Sequence, residues 1–220
     1  MKAFLHRVAL GLAVIGLAGC NSLTGDALSS LRQAISGSDS GITTEHISTI
    51  DAPALRVEVG QSEALLVSPG TLMPGGRTEW HGLSEMLFTH GGRVTQSAGL
   101  APDVLAPLVA GDPFLLGLHT ISSGLKVTRT VDYPGQYQTG LRQHARYRVG
   151  KVQAVEIMGR RHSLLRVDER IHMPELGFKA TNRYWVEPDT GLVRRSVQHL
   201  SPDLPPLRLT VVKTRGSRQP

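Results

Sequence analysis

The stretch His144-Ala145-Arg146-Tyr147-Arg148-Val149 decides the fold class, because its residues alternate between apolar and basic or polar side chains. Successive side chains of a β-strand point to opposite faces, which places the apolar residues on one face and the others on the opposite face. The same alternation recurs in residues 178–186, where the apolar face carries Phe178, Ala180, Tyr184 and Val186. This pattern is typical of strands in an antiparallel sheet with one packed face.

Short runs of this kind, separated by Gly, Pro and Asp, continue over most of the chain. The predicted strands are 55–59, 64–68, 77–81, 86–90, 93–98, 126–132, 143–149, 152–158, 163–170, 178–187, 192–199 and 207–213. Turns are expected at His90-Gly91-Gly92-Arg93, Val149-Gly150-Lys151 and 187–191, and a brief helix or irregular segment at 101–109. Strands at this spacing predict a mainly β fold, in which antiparallel sheets form a barrel or a sandwich.

The N-terminus has the pattern of a lipoprotein signal peptide. Lys2 and Arg7 precede an apolar run, which ends in Leu17-Ala18-Gly19-Cys20. The run is roughly half of the about 20 residues that a helix needs to cross a bilayer, so residues 1–19 are expected to be a cleaved signal with its cleavage site between Gly19 and Cys20. An ordinary signal peptide whose cleavage site contains a Cys is the alternative.

Cys20 is the expected lipidation site. Bacterial lipoproteins carry a diacylglycerol on the sulfur of this residue and an acyl chain such as palmitate on its amine, which anchors them to the membrane. Asn21 rather than Asp follows, which favours the outer membrane, with the domain facing the periplasm. Cys20 is the single Cys of the chain, so thiol catalysis, a thiolate metal site and a disulfide are not expected.

The chain beyond the signal divides into three expected parts. Residues 20–41 hold the lipidated N-terminus, a short helix at 26–36 that Asp26 can cap, and a polar linker. Residues 42–215 form the β-rich domain. Residues 216–220 are expected to be a disordered tail.

Positive charge is concentrated in the second half. Residues 21–141 contain 6 Lys and Arg against 11 Asp and Glu, whereas residues 142–220 contain 16 against 7. In an exported protein, the anions that such a half attracts are lipid phosphates, acidic polysaccharide or an acidic partner, and nucleic acid is not expected. A solvated basic surface without a specific ligand is the alternative.

The sequence shows no distinctive catalytic motif. The 9 His residues include no His-x-x-x-His or His-x-His spacing, and Gly-x-Ser-x-Gly and Gly-x-x-x-x-Gly-Lys do not occur. The densest polar cluster, 158–172, contains Asp168, Glu169 and His172, and it is interpreted as the outward face of two strands rather than an acid–base or metal site. We expect no catalytic residues, no metal and no cofactor other than the lipid on Cys20.

Two segments are centred on Trp residues, Trp80 in 77–100 and Trp185 in 182–200. Each has the pattern of an aromatic strand, a turn and a return strand. A core position is the simpler interpretation for such a Trp. The alternative is a candidate binding surface, in which Trp80 or Trp185 stacks on a sugar ring and Arg93 or Arg183 binds acidic sugar groups.

These segments, together with the motif at Cys20, resemble the YjbF/GfcB family of lipoproteins linked to group 4 capsule and exopolysaccharide production. The resemblance is carried by Gly92-Arg93, Gly99-Leu100, Asp112-Pro113, the Tyr-Trp-Val-x-Pro-x-Thr-Gly pattern at 184–191, and Ser196-x-Gln198. It covers about residues 50–213. A Gly-rich loop at 72–76 and the Gly and Arg content after Asp132 depart from the pattern, and the family has no established catalytic residues to carry over.

The resemblance implies a β-rich outer-membrane lipoprotein that acts beside a periplasmic and an outer-membrane partner in making or exporting polysaccharide. The first hypothesis is therefore a non-catalytic accessory component, held by its lipid and docking envelope secretion proteins or anionic polysaccharide. The second is a polysaccharide-binding protein that uses the Trp and Arg surface. The third is a periplasmic polysaccharide-modifying enzyme that uses Asp168, Glu169 and His172.

Overall fold

The computed structural model describes residues 44–68 and 76–214 of the chain. The expected signal peptide, Cys20, the helix at 26–36 and the tail at 216–220 lie outside the described residues. Within them, antiparallel strands form a single curled sheet, which confirms the predicted mainly β fold. No helix among the described residues is long and apolar enough to cross a bilayer.

The described strands and helices are short, except for two long strands in the second half. The strands are β1 (Ala54–Val59), β2 (Ser62–Val67), β3 (Arg77–His81), β4 (Met86–His90), β5 (Arg93–Ala98), β6 (Lys126–Tyr133), β7 (Gln138–Ile157), β8 (Arg160–Met173), β9 (Phe178–Val186), β10 (Val193–Gln198) and β11 (Leu207–Lys213). The α-helices are α1 (Thr44–Thr49) and α2 (Pro113–Leu116), and 3-10 turns span Pro134–Gln136 and Pro174–Leu176.

The strand order is β5-β4-β3-β2-β1-β11-β10-β9-β8-β7-β6. Strands β1–β5 and β6–β11 are thus two consecutive runs of neighbouring strands, and the pairing of β1 with β11 joins them. Val67 and His81 are the paired residues of β2 and β3, whereas β7 and β8 pair over more than ten residues each. The second run therefore contains the more extensive hydrogen-bonded sheet.

A short extended segment links the two terminal strands of this order. Leu105 exchanges backbone hydrogen bonds with Asp132 of β6, and its neighbours bond to β5, with N···O distances of 2.8–2.9 Å. Unpaired edge strands expose donors and acceptors that invite aggregation. The segment pairs with both edges at once, so the sheet curls around a shared interior.

Two of the predicted strands and the turn between them are one continuous strand. The turn expected at 149–151 is wrong, because β7 runs through it with an irregular register between Val149 and Val152. A bulge absorbs extra residues without reversing the chain. The reversal comes instead at Met158 and Gly159, which both have positive φ, as a tight hairpin turn requires.

The interior is filled by inward-facing apolar side chains in two main clusters. One cluster surrounds Trp80 and Leu207, and the other surrounds Tyr147, Tyr184 and Phe114. Phe114 lies on α2 and packs edge-on against the ring of Tyr184, with 5.0 Å between ring centroids. The helix at 113–116 therefore adds a side chain to the core.

The turn between β4 and β5 packs directly on β10. Gly92 has φ +87°, and a Cβ placed on it would lie 2.4 Å from the Cβ of Val193. Both the backbone conformation and the close approach require glycine at this position. This contact joins the first run of strands to the second through the interior.

We expect Gly92→Ala to lower the free energy of unfolding by about 3 kcal/mol, because it combines backbone strain with a clash against Val193. Gly111→Ala is the matched control, since Gly111 also has positive φ but no heavy atom lies within 4 Å of the position that its Cβ would take. The control is expected to lose about 1 kcal/mol. Urea denaturation measures both, and equal losses would contradict the close packing of Gly92 on Val193.

Candidate functional site

Several polar side chains occupy inward positions that alternate with apolar ones. Arg129 shares the inward face of β6 with Val127 and Val131, and Glu169 shares that of β8 with Val167 and Ile171. Because residues two apart in a strand point to the same side, the local pattern carries these charges into the core. Arg129 and Glu169 have exposed fractions of 1% and 0%.

The guanidinium of Arg129 is surrounded by acceptors. Its Nε and Nη2 donate to the two carboxylate oxygens of Asp112 at 2.5 and 3.0 Å, and its Nη1 donates to Oε1 of Glu169 at 2.8 Å. Nη2 also lies 2.5 Å from the hydroxyl of Tyr147. Asp112 in turn accepts from the backbone N–H of Phe114, which caps α2. One buried cation thus positions a helix and two strands.

Glu169 accepts hydrogen bonds from four side chains. Besides Arg129, these are the hydroxyl of Tyr147 at 2.5 Å, the amide of Asn182 at 2.9 Å and the hydroxyl of Tyr184 at 3.0 Å. Four donors saturate most of the lone pairs of a carboxylate. The acid is therefore held in its ionised form by groups from β6, β7 and β9.

The hydrogen bonds continue to the other strands of the interior. Arg93 donates from Nη2 to Oε1 of Gln143 at 2.9 Å. Gln198 accepts from the backbone N–H of Val94 and donates to the carbonyl of Gly92, at 2.9 and 2.8 Å. We call these residues the interior polar network: Arg93, Asp112, Arg129, Gln143, Tyr147, Glu169, Asn182, Tyr184 and Gln198.

The network keeps its charges fixed. Burial alone raises the pKa of Glu169, but the nearby Arg129 and Arg93 and the hydrogen bonds outweigh it and lower this pKa to about 2. Burial lowers the pKa of Arg129, yet its bond to Asp112 and the charge of Glu169 raise it above its ordinary value. Burial, followed by the charge of Glu169, raises the pKa of Tyr147 and Tyr184. None of these four groups is poised to exchange a proton near neutral pH.

The structure separates the four residues of the candidate binding surface. Trp80 and Arg93 are interior residues, with exposed fractions of 6% and 4%, and the indole N–H of Trp80 donates to Oγ1 of Thr89 at 2.8 Å. The prediction that these two residues belong to a binding surface is therefore wrong, because both are buried. Arg183 and Trp185 lie half-buried on the outward face of β9. Trp185 packs against the cluster of Val155, Ile157 and Leu164, which belongs to the β7–β8 hairpin.

The residues considered for acid–base chemistry do not converge. Glu169 points into the core, contrary to the outward position expected for its cluster, because it alternates with Asp168 along β8. Asp168 forms an ion pair with Arg166 at 2.8 Å on the outer face, where His172 also lies. Among the described residues, no group of three or more His, Cys, Asp or Glu side chains is arranged to hold a metal ion.

One Ser-x-x-Lys spacing, at Ser123 and Lys126, is present in the sequence. Serine enzymes with this motif use the lysine or a nearby acid as a base. Here the segment leads into β6, and the hydroxyl of Ser123 accepts the backbone N–H of Val149 at 2.9 Å. The Ser123 hydroxyl thus accepts a hydrogen bond from a backbone N–H group at the edge of the sheet.

Sequence reasoning missed Arg129, Gln143 and Asn182 as network members. A signal was present, because each stands at an inward position between apolar residues of its strand. Arg93, Asp112 and Gln198 were singled out through the family resemblance. What the sequence did not indicate is that these residues from separate motifs bond to one another or to the same partners.

The chain matches a known protein family. A family model described as "Group 4 capsule polysaccharide lipoprotein gfcB, YjbF" matches residues 15–212. The chain belongs to this family. In this YjbF-family protein, the motif residues Gly92, Arg93, Asp112 and Gln198 contribute contacts to the interior, which explains their residue types by packing and hydrogen bonding.

The chain is also similar to solved structures. The hypothetical lipoprotein YmcC from Escherichia coli (K12) matches with 20% identity and a TM-score of 0.69, over 88% of this chain and 97% of its own. A Bacteroides fragilis protein with a YmcC-like fold matches with 11% identity and a TM-score of 0.34, over 73% and 93% of the two chains. The similarity to YmcC shows a shared fold. No curated protein matches the chain.

We expect Arg129→Met to lower the free energy of unfolding by about 3–5 kcal/mol, because it leaves Asp112 and Glu169 buried without their cation. Glu169→Gln should cost less, since Asp112 still pairs with Arg129. The double variant is expected to lose less than the sum of the two single losses. Arg142→Gln, which breaks the exposed pair with Glu175, is the control and should cost under about 1 kcal/mol. An Arg129 variant as stable as this control would refute the structural role.

The depressed pKa of Glu169 predicts an acid-sensitive fold. A carboxyl group that titrates lower in the folded than in the unfolded chain stabilises fully above its unfolded pKa, and this contribution is lost as the pH falls towards the folded pKa of about 2. Stability should therefore drop between about pH 4.5 and pH 2. In Glu169→Gln, chemical denaturation across this range should show a smaller drop. An identical pH profile in both proteins would rule out the assignment.

Proposed function

We propose that this protein is an outer-membrane lipoprotein that faces the periplasm and acts as a non-catalytic accessory component in capsule or exopolysaccharide production and export. The lipid on Cys20 holds it at the membrane, and its sheet docks envelope secretion proteins or polymer. Family membership, with its description as a group 4 capsule polysaccharide lipoprotein, supports the process. The signal pattern that ends at Gly19 and Cys20 supports the anchor.

The interior polar network is the observation that carries the non-catalytic role. Catalytic acids, bases and nucleophiles lie in accessible clefts with pKa values matched to their task. Here the charged groups Arg129 and Glu169 are buried, and the carboxylate of Glu169 accepts hydrogen bonds from four side chains. One small cavity in the described part of the chain, lined in part by Trp80 and Ser196, has a volume of about 20 Å³, which is room for one water molecule. The chemistry of these residues is thus used to hold the fold.

The anchoring part of the proposal is tested with Cys20→Ser in a strain that lacks the chromosomal gene. Wild-type protein is expected in the outer-membrane fraction of a density gradient and should restore surface polysaccharide. Cys20→Ser should leave that fraction and fail to restore it at equal protein level. Full restoration by unanchored protein, or recovery of the wild type in the inner-membrane fraction, would contradict the proposal.

The enzymatic alternative is tested with Asp168 and His172, the outward-facing residues of the polar cluster at 158–172. Asp168→Asn combined with His172→Gln removes both outer-face groups and leaves the buried Glu169 in place. We expect this variant to restore surface polysaccharide like the wild type, since neither group carries out chemistry in the proposed role. Loss of polysaccharide with an unchanged amount of folded protein would favour an enzyme.

A further inference from the structure

The outward faces of β6 to β9 carry a concentration of basic side chains. Alternation places the residues opposite to the interior polar network on this side, and the antiparallel register brings them together across strands. We call six of them the basic outer face: Lys126, Arg146, Arg148, Arg170, Lys179 and Arg183. All but the half-buried Arg183 are exposed.

The centre of this face is a row of like charges. Lys126 lies directly opposite Arg146, which lies directly opposite Arg170 on the next strand. Side chains in such positions have their Cβ atoms about 5 Å apart, and like charges there destabilise a sheet. A row of three cations on adjacent strands therefore opposes folding, and an anion bound across it would relieve the repulsion.

Two acids on or beside this face form ion pairs with bases outside the set of six. Asp168 lies in register between Arg148 and Arg183, but its carboxylate binds Arg166 in a bidentate pair. Glu175 binds Arg142 at 2.8 Å. Within the described residues, none of the six side chains of the basic outer face has a carboxylate oxygen within 4.0 Å. The positive charge is left for an external anion.

Other parts of the same sheet show the contrast. Arg56 forms ion pairs with Glu58 and Glu63, and Arg194 lies 3.7 Å from Glu187. The interior cation, Arg129, has two carboxylates. The sheet thus supplies carboxylate partners to the neighbouring Arg142 and Arg166, to bases on other strands and to the interior, whereas it supplies none to the six bases of the basic outer face.

The shape of the face indicates an extended ligand. The six bases stand on the outside of a pleated sheet, with strands about 4.8 Å apart and same-face residues about 7 Å apart along each strand. Charges at this spacing on the outside of a sheet suit a polymer that repeats its anionic groups. We choose a polysaccharide rather than a lipid headgroup because the family is described as a group 4 capsule polysaccharide lipoprotein.

We propose that the basic outer face binds an acidic polysaccharide, whose carboxylate or phosphate groups lie across the row Lys126–Arg146–Arg170. This inference deepens the proposed function and rests on it for the choice of a polysaccharide. It assigns the largest share of the binding to Arg146 and Arg170, which are directly opposite each other in the row. Lys179 and Arg183 on β9 extend the contact along the polymer.

The test measures binding of oligogalacturonate to the full lipidated protein in detergent micelles, by calorimetry at several salt concentrations. Arg146→Gln combined with Arg170→Gln is expected to weaken binding about tenfold and to flatten its salt dependence. Arg160→Gln combined with Arg161→Gln, at the exposed tip of the β7–β8 hairpin, removes the same charge and should weaken binding less than about twofold. Neutral dextran should not bind.

Three results would overturn the inference: equal weakening by the two double variants, equal binding of dextran, or, for the unlipidated Cys20→Ser protein, tighter binding of phosphatidylglycerol vesicles than of oligogalacturonate at matched anion concentration. Thermal unfolding of each variant confirms that the fold is retained. A strain that lacks the gene separates this inference from the proposed function. If it lacks surface polysaccharide while the purified protein fails to bind the polymer, the accessory role stands and the polysaccharide site does not.

Discussion

The buried ion cluster of Arg129, Asp112 and Glu169 is the interaction on which the rest of the structure depends. A charge that leaves water costs several kcal/mol unless it is paired and hydrogen-bonded. Here one guanidinium meets two carboxylates, and the remaining acceptor positions of Glu169 are filled by Tyr147, Asn182 and Tyr184. This compensation fails if any of the contributing strands moves. The cluster therefore fixes β6, β7, β8 and β9 relative to one another, and through Asp112 it fixes α2.

The first run of strands is tied to this cluster by backbone contacts and amide side chains. Gly92 allows the β4–β5 turn to approach Val193, and Gln198 bonds to both sides of Arg93. Arg93 reaches Gln143, which neighbours the guanidinium of Arg129. The segment around Leu105 also joins β5 to β6. Three of the residues that carry the family resemblance, Gly92, Arg93 and Gln198, thus lie where the two runs of strands meet, and their residue types follow from that meeting.

Charge is treated differently on the two sides of the sheet. Inside, Arg129 pairs with both carboxylates of the ion cluster, and Arg129 and Glu169 keep their charges near neutral pH. On the outward faces of β6 to β9, six bases have no carboxylate of the described residues within ion-pair distance, although the acids Asp168 and Glu175 lie among them. A fold stabilised from within by saturated polar groups leaves its outer face free to carry unpaired charge. That charge gives the outer face a long-range attraction for anions.

The alternation of residues such as 144–149 was enough to predict a mainly β fold, most of the strands and the faces of Tyr147 and Tyr184, because period-two patterning is local. Because residues two apart in a strand point to the same face, the pattern also predicts inward positions for Arg129, Gln143 and Asn182. The polar interior could therefore have been predicted from the sequence. Only the tertiary structure decided that β7 continues through Gly150, that Trp80 and Arg93 lie inside, and which polar groups pair. Arg93 and Gln143 are 50 residues apart and Val94 and Gln198 are 104 apart. Such pairings depend on strand order and register, which packing across the whole sheet sets and no local pattern encodes.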